Sequence, residues 1–160
     1  MSAVLGQGRA LVETVPGDIA QWCPAYGTNG PQERAAFWTG MISALAWHES
    51  THRPGAVGGG GKWFGLLQIA PATARGYGCA ASTGRALQDG PANLRCAVRI
   101  MARTVARDGV VALKNGRSAG VGADWGPMTR RAKREEMAAF AQAQSYCQPG
   151  TSPRPLRRPG

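Results

Sequence analysis

The clearest periodic stretch of the chain opens at Gly30-Pro31, with Glu33 close behind. Proline suits the first helical position because its missing N–H has no partner there anyway, and an acid in the first turn meets the positive end of the helix dipole. Trp38, Met41, Ile42 and Leu45 follow at i, i+3, i+4 and i+7. That spacing predicts a helix with one apolar stripe, ending near Ser50 ahead of Pro54 and Gly55. Gly55 to Gly61 holds five glycines and reads as a loop. Trp63 to Ile69 is an apolar run too short for its period to decide between helix and strand. Pro71 opens a short helix that stops at Gly76 or Gly78. A longer one starts at Gly90-Pro91, carries Leu94, Val98, Met101 and Val105 on one face, and ends at Asp108-Gly109. Val110 to Asp124 reads as a second glycine-rich loop. Arg130 to Tyr146 is the last predicted helix, with Met137, Phe140 and Ala141 as its apolar face.

The two ends differ from this middle. Residues 1–30 read as an irregular segment broken by Pro16, Gly17, Pro24, Gly27 and Gly30, with room for a short helix about Asp18 to Cys23. Residues 148–160 carry four prolines and three arginines and read as a disordered basic tail. Residues 31–147 remain as one mainly α domain with glycine-rich loops. Abundant alanine and few β-branched residues agree with that class, and a chain of 160 residues suits a single domain.

Charge narrows the partners. Nineteen Lys and Arg against nine Asp and Glu leave a net charge of +10, a field that attracts polyanions: nucleic acid, anionic lipid headgroups, or a bacterial cell wall rich in carboxylates. Four cysteines, Cys23, Cys79, Cys96 and Cys147, lack Cys-x-x-Cys spacing, and His48 and His52 are the only histidines. A zinc site is poorly supported, and two disulfides in an oxidising compartment are the better reading than four buried thiols. Cys79 with Cys96 closes a short loop, which costs little entropy. Cys23 with Cys147 would then tie the N-terminal segment to the end of the last helix. No run approaches the ~20 apolar residues of a membrane span. Met1 to Val15 shows no basic stretch followed by an apolar one, so no signal peptide is visible; a secreted or periplasmic protein would have lost it or would use another route.

Glu49 is the chemical candidate. It lies eleven residues after Trp38 and four after Leu45, on the apolar stripe of its helix. A carboxylate there is costly. Apolar neighbours, the negative end of the helix dipole and few cations on that face should all raise its pKa, which is what a general acid requires. By analogy with other buried catalytic acids it is expected near about 6. The alternative is a glutamate swung out to solvent at a frayed helix end.

Several blocks in order resemble the lytic transglycosylase (SLT) family, relatives of goose-type lysozyme. Glu49-Ser50 is similar to that family's Glu-Ser at the end of a helix. Gly65-Leu66-Leu67-Gln68-Ile69, with Pro71, Thr73 and Ala74, resembles its Gly-Leu-Met-Gln-Ile-x-Pro-x-Thr-Ala block, and Tyr77-Gly78 follows in the family's place. Leu87, Pro91 and Asn93-Leu94 resemble the block that opens a long helix. The similarity runs from about Phe37 to Val105 and weakens towards Phe140. The chain departs from the family after Ser50, where Thr51-His52-Arg53-Pro54 replaces a Gly-x-Asn type sequence, and at the late Tyr-Asn-Ala-Gly-Pro block, whose nearest counterpart is Trp125-Gly126-Pro127.

The resemblance implies a lysozyme-like fold of the α (α+β) kind and a peptidoglycan glycan strand as substrate. It implies Glu49 as general acid and then base, with no cofactor and no metal. The substrate contacts expected on it are Ser50, Gly65, Leu67, Gln68, Tyr77 and Trp125. Gln68 can donate its amide to a sugar acetamido or hydroxyl, and Gly65 would let the backbone approach the sugar. Ser50 could instead cap a helix carbonyl. Trp63 and Phe64 could stack on a sugar or pack in the core, and His52 could tune Glu49.

Glycosidases usually employ two carboxylates about 5–9.5 Å apart, yet no acid lies between Ser50 and Gln88. Asp124 is the one plausible partner. A single carboxylate suffices where the substrate's own acetamido group assists and the muramyl 6-hydroxyl attacks C1, giving the 1,6-anhydro product that the resemblance implies. Rival readings are a hydrolytic muramidase on the same fold, a degenerate wall-binding protein, and a basic nucleic-acid module prompted by Arg130, Arg131, Lys133, Arg134 and the tail. The last lacks interleaved aromatics, so no nucleic acid is expected. The chain is expected to act as a monomer, and a role in a secretion or phage-like assembly stays open beside wall turnover.

Overall fold

The computed structural model describes residues 1–149. The tail reading for 148–160 therefore falls, from residue 150 onward, outside the described residues. The N-terminal segment is not irregular: it forms α1 (Ser2–Gln7) and α2 (Arg9–Glu13). These helices are too short to show a period, and they exist because Val4, Leu11 and Val12 are buried against the rest of the domain. A 3-10 turn at Ile19–Gln21 sits inside the stretch where a short helix was expected.

Helix α3 (Pro31–Ser50) follows, with Trp38, Met41, Ile42 and Leu45 all buried. Next come a small hairpin of β1 (Val57–Gly58) and β2 (Trp63–Phe64), the short helices α4 (Pro71–Gly76) and α5 (Gly84–Leu87), and the long α6 (Gly90–Asp108). A second hairpin of β3 (Leu113–Lys114) and β4 (Arg117–Ser118) precedes α7 (Arg131–Gln142). The glycine loop expected at Gly55–Gly61 thus supplies the first strand and the turn of a hairpin whose second strand is Trp63–Phe64, and the one at Val110–Asp124 holds a whole hairpin. In the first, Val57 pairs with Phe64 and Gly58 with Trp63. In the second, Asn115 and Gly116 are both left-handed, the turn that matches strand twist. Helix α7 stops four residues before Tyr146, and Ser145–Cys147 continues as a 3-10 turn. Met137 and Ala141 face the core, but Phe140 is exposed.

The first layer, α1 and α2, packs on α3 and α6, while α7 packs along α3. Tyr26, Phe37 and Trp38 stack edge to face inside. The Trp38 indole donates to the Tyr26 hydroxyl (3.0 Å), which donates to Leu11 O (2.9 Å). The Asp18 carboxylate accepts from the N–H groups of Val111, Ala112 and Leu113. Disulfides join Cys23 to Cys147 and Cys79 to Cys96, each typically worth ~2–4 kcal/mol. They fit a location outside the cytoplasm. Among the described residues no helix is long and apolar enough to cross a membrane.

Candidate active site

Glu49 sits in the last turn of α3. That turn closes through Thr51 and His52, both with positive φ (51° and 59°), whose N–H groups reach Trp47 O and Ala46 O. Ser50 belongs to this cap rather than to a substrate surface. It is buried, its hydroxyl donates to Ala46 O (3.1 Å) and it accepts from Arg53 N (3.3 Å). His52 turns away as well: its Nε2 lies 2.7 Å from Ser43 O and its ring sits beside Trp47.

The facing wall is the β1–β2 hairpin and the turn that follows it. Gly65, at φ 82°, makes a close approach, but not to a sugar. A Cβ there would lie 2.1 Å from Leu87 O and 2.3 Å from Asn93 Nδ2. Asn93, fully buried on α6, holds this turn. Its amide donates to Phe64 O and Leu87 O (both 2.9 Å), and its carbonyl accepts from Leu67 N (3.0 Å). Leu67 is fully buried, so its side chain is core and not a substrate contact. Its carbonyl accepts from the Trp125 indole (2.8 Å).

Gln68 is left-handed at φ 49°, unusual for a non-glycine residue. Its amide NH2 donates to Ala56 O (3.1 Å) and Gly65 O (3.0 Å), clamping the hairpin to the turn. Both donors are engaged within the chain in this structure, and its Oε1 remains as an acceptor.

Glu49 and Gln68 line one cleft of about 360 Å³, together with His48, Trp63, Asp124, Trp125, Arg130 and Lys133. A small annex of about 60 Å³ continues it past Trp63, Asp124 and Ile69 towards Thr73. Trp63 is 46% exposed and offers a flat apolar face at the cleft, whereas Phe64 packs against Gly84. Trp125 is only 4% exposed, which leaves an edge for contact rather than a stacking platform. Tyr77 stands behind Asp124, donating its hydroxyl to Asp124 Oδ2 at 3.4 Å.

No hydrogen bond from the described residues reaches the Glu49 carboxylate. Burial pushes its pKa up to about 7, with Lys133 opposing. Burial therefore dominates, as it should for a carboxyl among apolar neighbours. The expectation of few cations on that face fails, because α7 packs along α3 and delivers Lys133 and Arg130, some eighty residues away in sequence. Burial also raises the Asp124 pKa, against its bond from Tyr77. Lys133→Met is expected to raise the Glu49 pKa further and to move the alkaline limb of the pH–activity profile to higher pH. Turnover measured across pH checks this; a limb that stayed put or moved down would contradict it. The sign for stability is related. A carboxyl with a raised folded pKa contributes stability below its unfolded value that is lost as pH rises through about 7.

Comparison with known proteins decides the family. Residues 28–117 match the model of the transglycosylase SLT domain, which is more than half of the chain and spans Glu49, Gln68 and Asn93. The chain belongs to the transglycosylase SLT domain family. As an SLT domain it is a glycan-cleaving enzyme directed at peptidoglycan. Its fold is similar to the solved structure of wild-type DslA, with 27% identity, 92% of this chain and 87% of that chain covered, and a TM-score of 0.83. Two glutamate-to-glutamine mutants of DslA superpose equally well, with TM-scores of 0.83 and 0.82. No curated protein matches the sequence. The SLT match ends before Trp125, so the wall formed by Asp124 to Lys133 lies beyond it. His48, Arg130 and Lys133 were not singled out as site residues by sequence, since only packing of α7 on α3 brings them together.

Proposed function

We propose that this SLT domain is a lytic transglycosylase that cleaves the β-1,4 bond between N-acetylmuramic acid and N-acetylglucosamine and leaves a 1,6-anhydro end. The observation that carries this reading is Glu49: a carboxyl lining the cleft with no hydrogen bond from the described residues, its pKa raised to about 7 by burial against Lys133. At neutral pH such a group holds its proton in a large share of molecules and can deliver it to the glycosidic oxygen. The departing sugar leaves an oxocarbenium-like centre that the substrate's acetamido group stabilises. Glu49, now a carboxylate, takes the proton of the muramyl 6-hydroxyl as that oxygen bonds to C1. Lys133 steadies the carboxylate in this second half. Trp63 offers a stacking face, and Gln68 Oε1 and the edge of Trp125 complete the wall. The site of action is the bacterial cell envelope, in the periplasm or outside the cell.

Asp124 favours a second reading, hydrolysis, because it places another carboxyl on the same cleft. Heavy-oxygen water separates the two. Sacculi digested in it are expected to yield new muramyl ends without the label, since the attacking oxygen comes from the sugar. Labelled C1 oxygen in most products would establish hydrolysis instead.

A further inference from the structure

Helix α6 carries a feature that the cleft does not use. Between residues 95 and 108 its exposed positions are Arg95, Arg99, Arg103, Ala106 and Arg107. The four arginines recur every four residues, so they advance slowly round the helix and span about 18 Å along it. Like charges at this spacing repel and weaken a helix, and no acid lies between Asp89 and Asp108 to offset them. Arg107 is held by Asp108 through two bonds (2.8 and 2.9 Å). Arg95, Arg99 and Arg103 form no ion pair among the described residues.

The row is continuous with the cleft. Arg99 Nε donates to Tyr77 O (2.6 Å), and the Arg103 guanidinium lies 5.7 Å from the centre of the Tyr77 ring. Tyr77 in turn bonds Asp124, which lines the cleft beside Glu49. At the far end Arg95 and Arg99 rim a hollow of about 180 Å³ floored by Cys79 and Cys96. Gly78 keeps Arg99 close, since a Cβ there would lie 3.1 Å from its Nη2.

We propose that this arginine row is a second binding surface, which takes the carboxylates of lactyl-peptide branches on a glycan strand whose backbone lies in the catalytic cleft. The proposal rests on peptidoglycan being the substrate. A guanidinium fork matches a carboxylate through two parallel bonds, which suits Arg95, Arg99 and Arg103, the three that Asp108 does not hold, to this role. A neutral sugar chain offers it hydrogen-bond acceptors but no carboxylate to pair with. Carboxylates come either from the lactyl group itself, on strands stripped of peptide, or from the attached peptide.

The test uses the full chain carrying Glu49→Gln, so that binding is read without cleavage. Arg95→Gln with Arg103→Gln is added, because neither side chain holds a backbone group. Co-sedimentation is measured with intact sacculi, with peptide-stripped sacculi, with chitin and with duplex DNA. Binding to intact sacculi is expected to weaken by roughly five- to tenfold at low salt, with the difference vanishing near about 0.5 M salt. Arg95→Lys with Arg103→Lys keeps the charge but not the fork and should recover only part of the binding, and unchanged melting temperatures exclude a folding defect. Weakening on intact but not stripped sacculi assigns the row to peptide carboxylates; weakening on both assigns it to the lactyl group. Unchanged binding to sacculi, or an equal loss on chitin, would overturn the proposal. So would a loss confined to DNA. If the chain with Glu49 intact released nothing from sacculi while the arginine effect stood, the catalytic reading would fail and this one would survive.

Discussion

Glu49→Gln is expected to abolish murein cleavage while the fold persists. Glutamine nearly matches glutamate in size, so packing around the end of α3 survives the change. It cannot give a proton to the leaving oxygen or accept one from the 6-hydroxyl, so both halves of the proposed reaction fail. Loss of one general acid typically slows a reaction by ~10²–10⁴, and a group serving both halves belongs at the upper end. Stability should not suffer. The wild-type carboxyl ionises only against its burial, so above pH 7 the variant should melt at the same temperature or higher. A variant that lost activity and melted far below wild type would show that Glu49 holds the fold rather than the reaction.

Asn93→Ala is expected to have the largest effect on stability among single changes near the site. Two buried backbone groups, Leu87 O and Leu67 N, depend on this one amide, and Phe64 O, which also accepts from Ile69 N, takes a further bond from it. Each group left unpaired costs about 1–3 kcal/mol, so even with partial relaxation the total should reach roughly 3–4 kcal/mol. For a domain of this size that lowers the melting temperature by roughly 10 °C. Asn93→Asp should not rescue it, because an ionised carboxylate cannot donate to two carbonyls. The turn from Gly65 to Gln68 would loosen, and cleavage should fall in both variants. Thermal melts check the claim; a loss below about 1 kcal/mol, the worth of a single ordinary hydrogen bond, would show that the turn is held by other means.

Much of this domain was legible in the chain because its two long helices bury a stripe at helical spacing. Pro31 with Glu33 and Pro91 after Asp89 mark their starts, and Asp89 caps Ala92 N. What stayed hidden is short or distant. Helices α1 and α2 span six and five residues, less than a period can reveal. The strands are two residues long, and although Asn115-Gly116 is a hairpin signal, the surrounding glycines made it look like open loop. Among site residues, Glu49 was legible as an acid on an apolar stripe. Ser50, Gly65 and Leu67 are expected at the substrate on the strength of the family motifs that carry them. In the structure Ser50 bonds Ala46 O and Arg53 N, Gly65 packs against Leu87 O and Asn93, and the Leu67 side chain is buried in the core. Lys133 and Arg130 escaped because nothing local in α7 announces that it packs against Glu49.

The most direct test is the mass of the muropeptides released from purified sacculi by the wild-type protein and by Glu49→Gln, side by side. The wild type is expected to release products one water lighter than hydrolytic ones, with turnover falling as pH rises through about 7, and the variant to release almost none. Products carrying the extra water would contradict the transglycosylase chemistry. A Glu49→Gln protein that kept more than about a tenth of wild-type turnover, above what loss of a general acid leaves, would contradict the assignment of Glu49 itself.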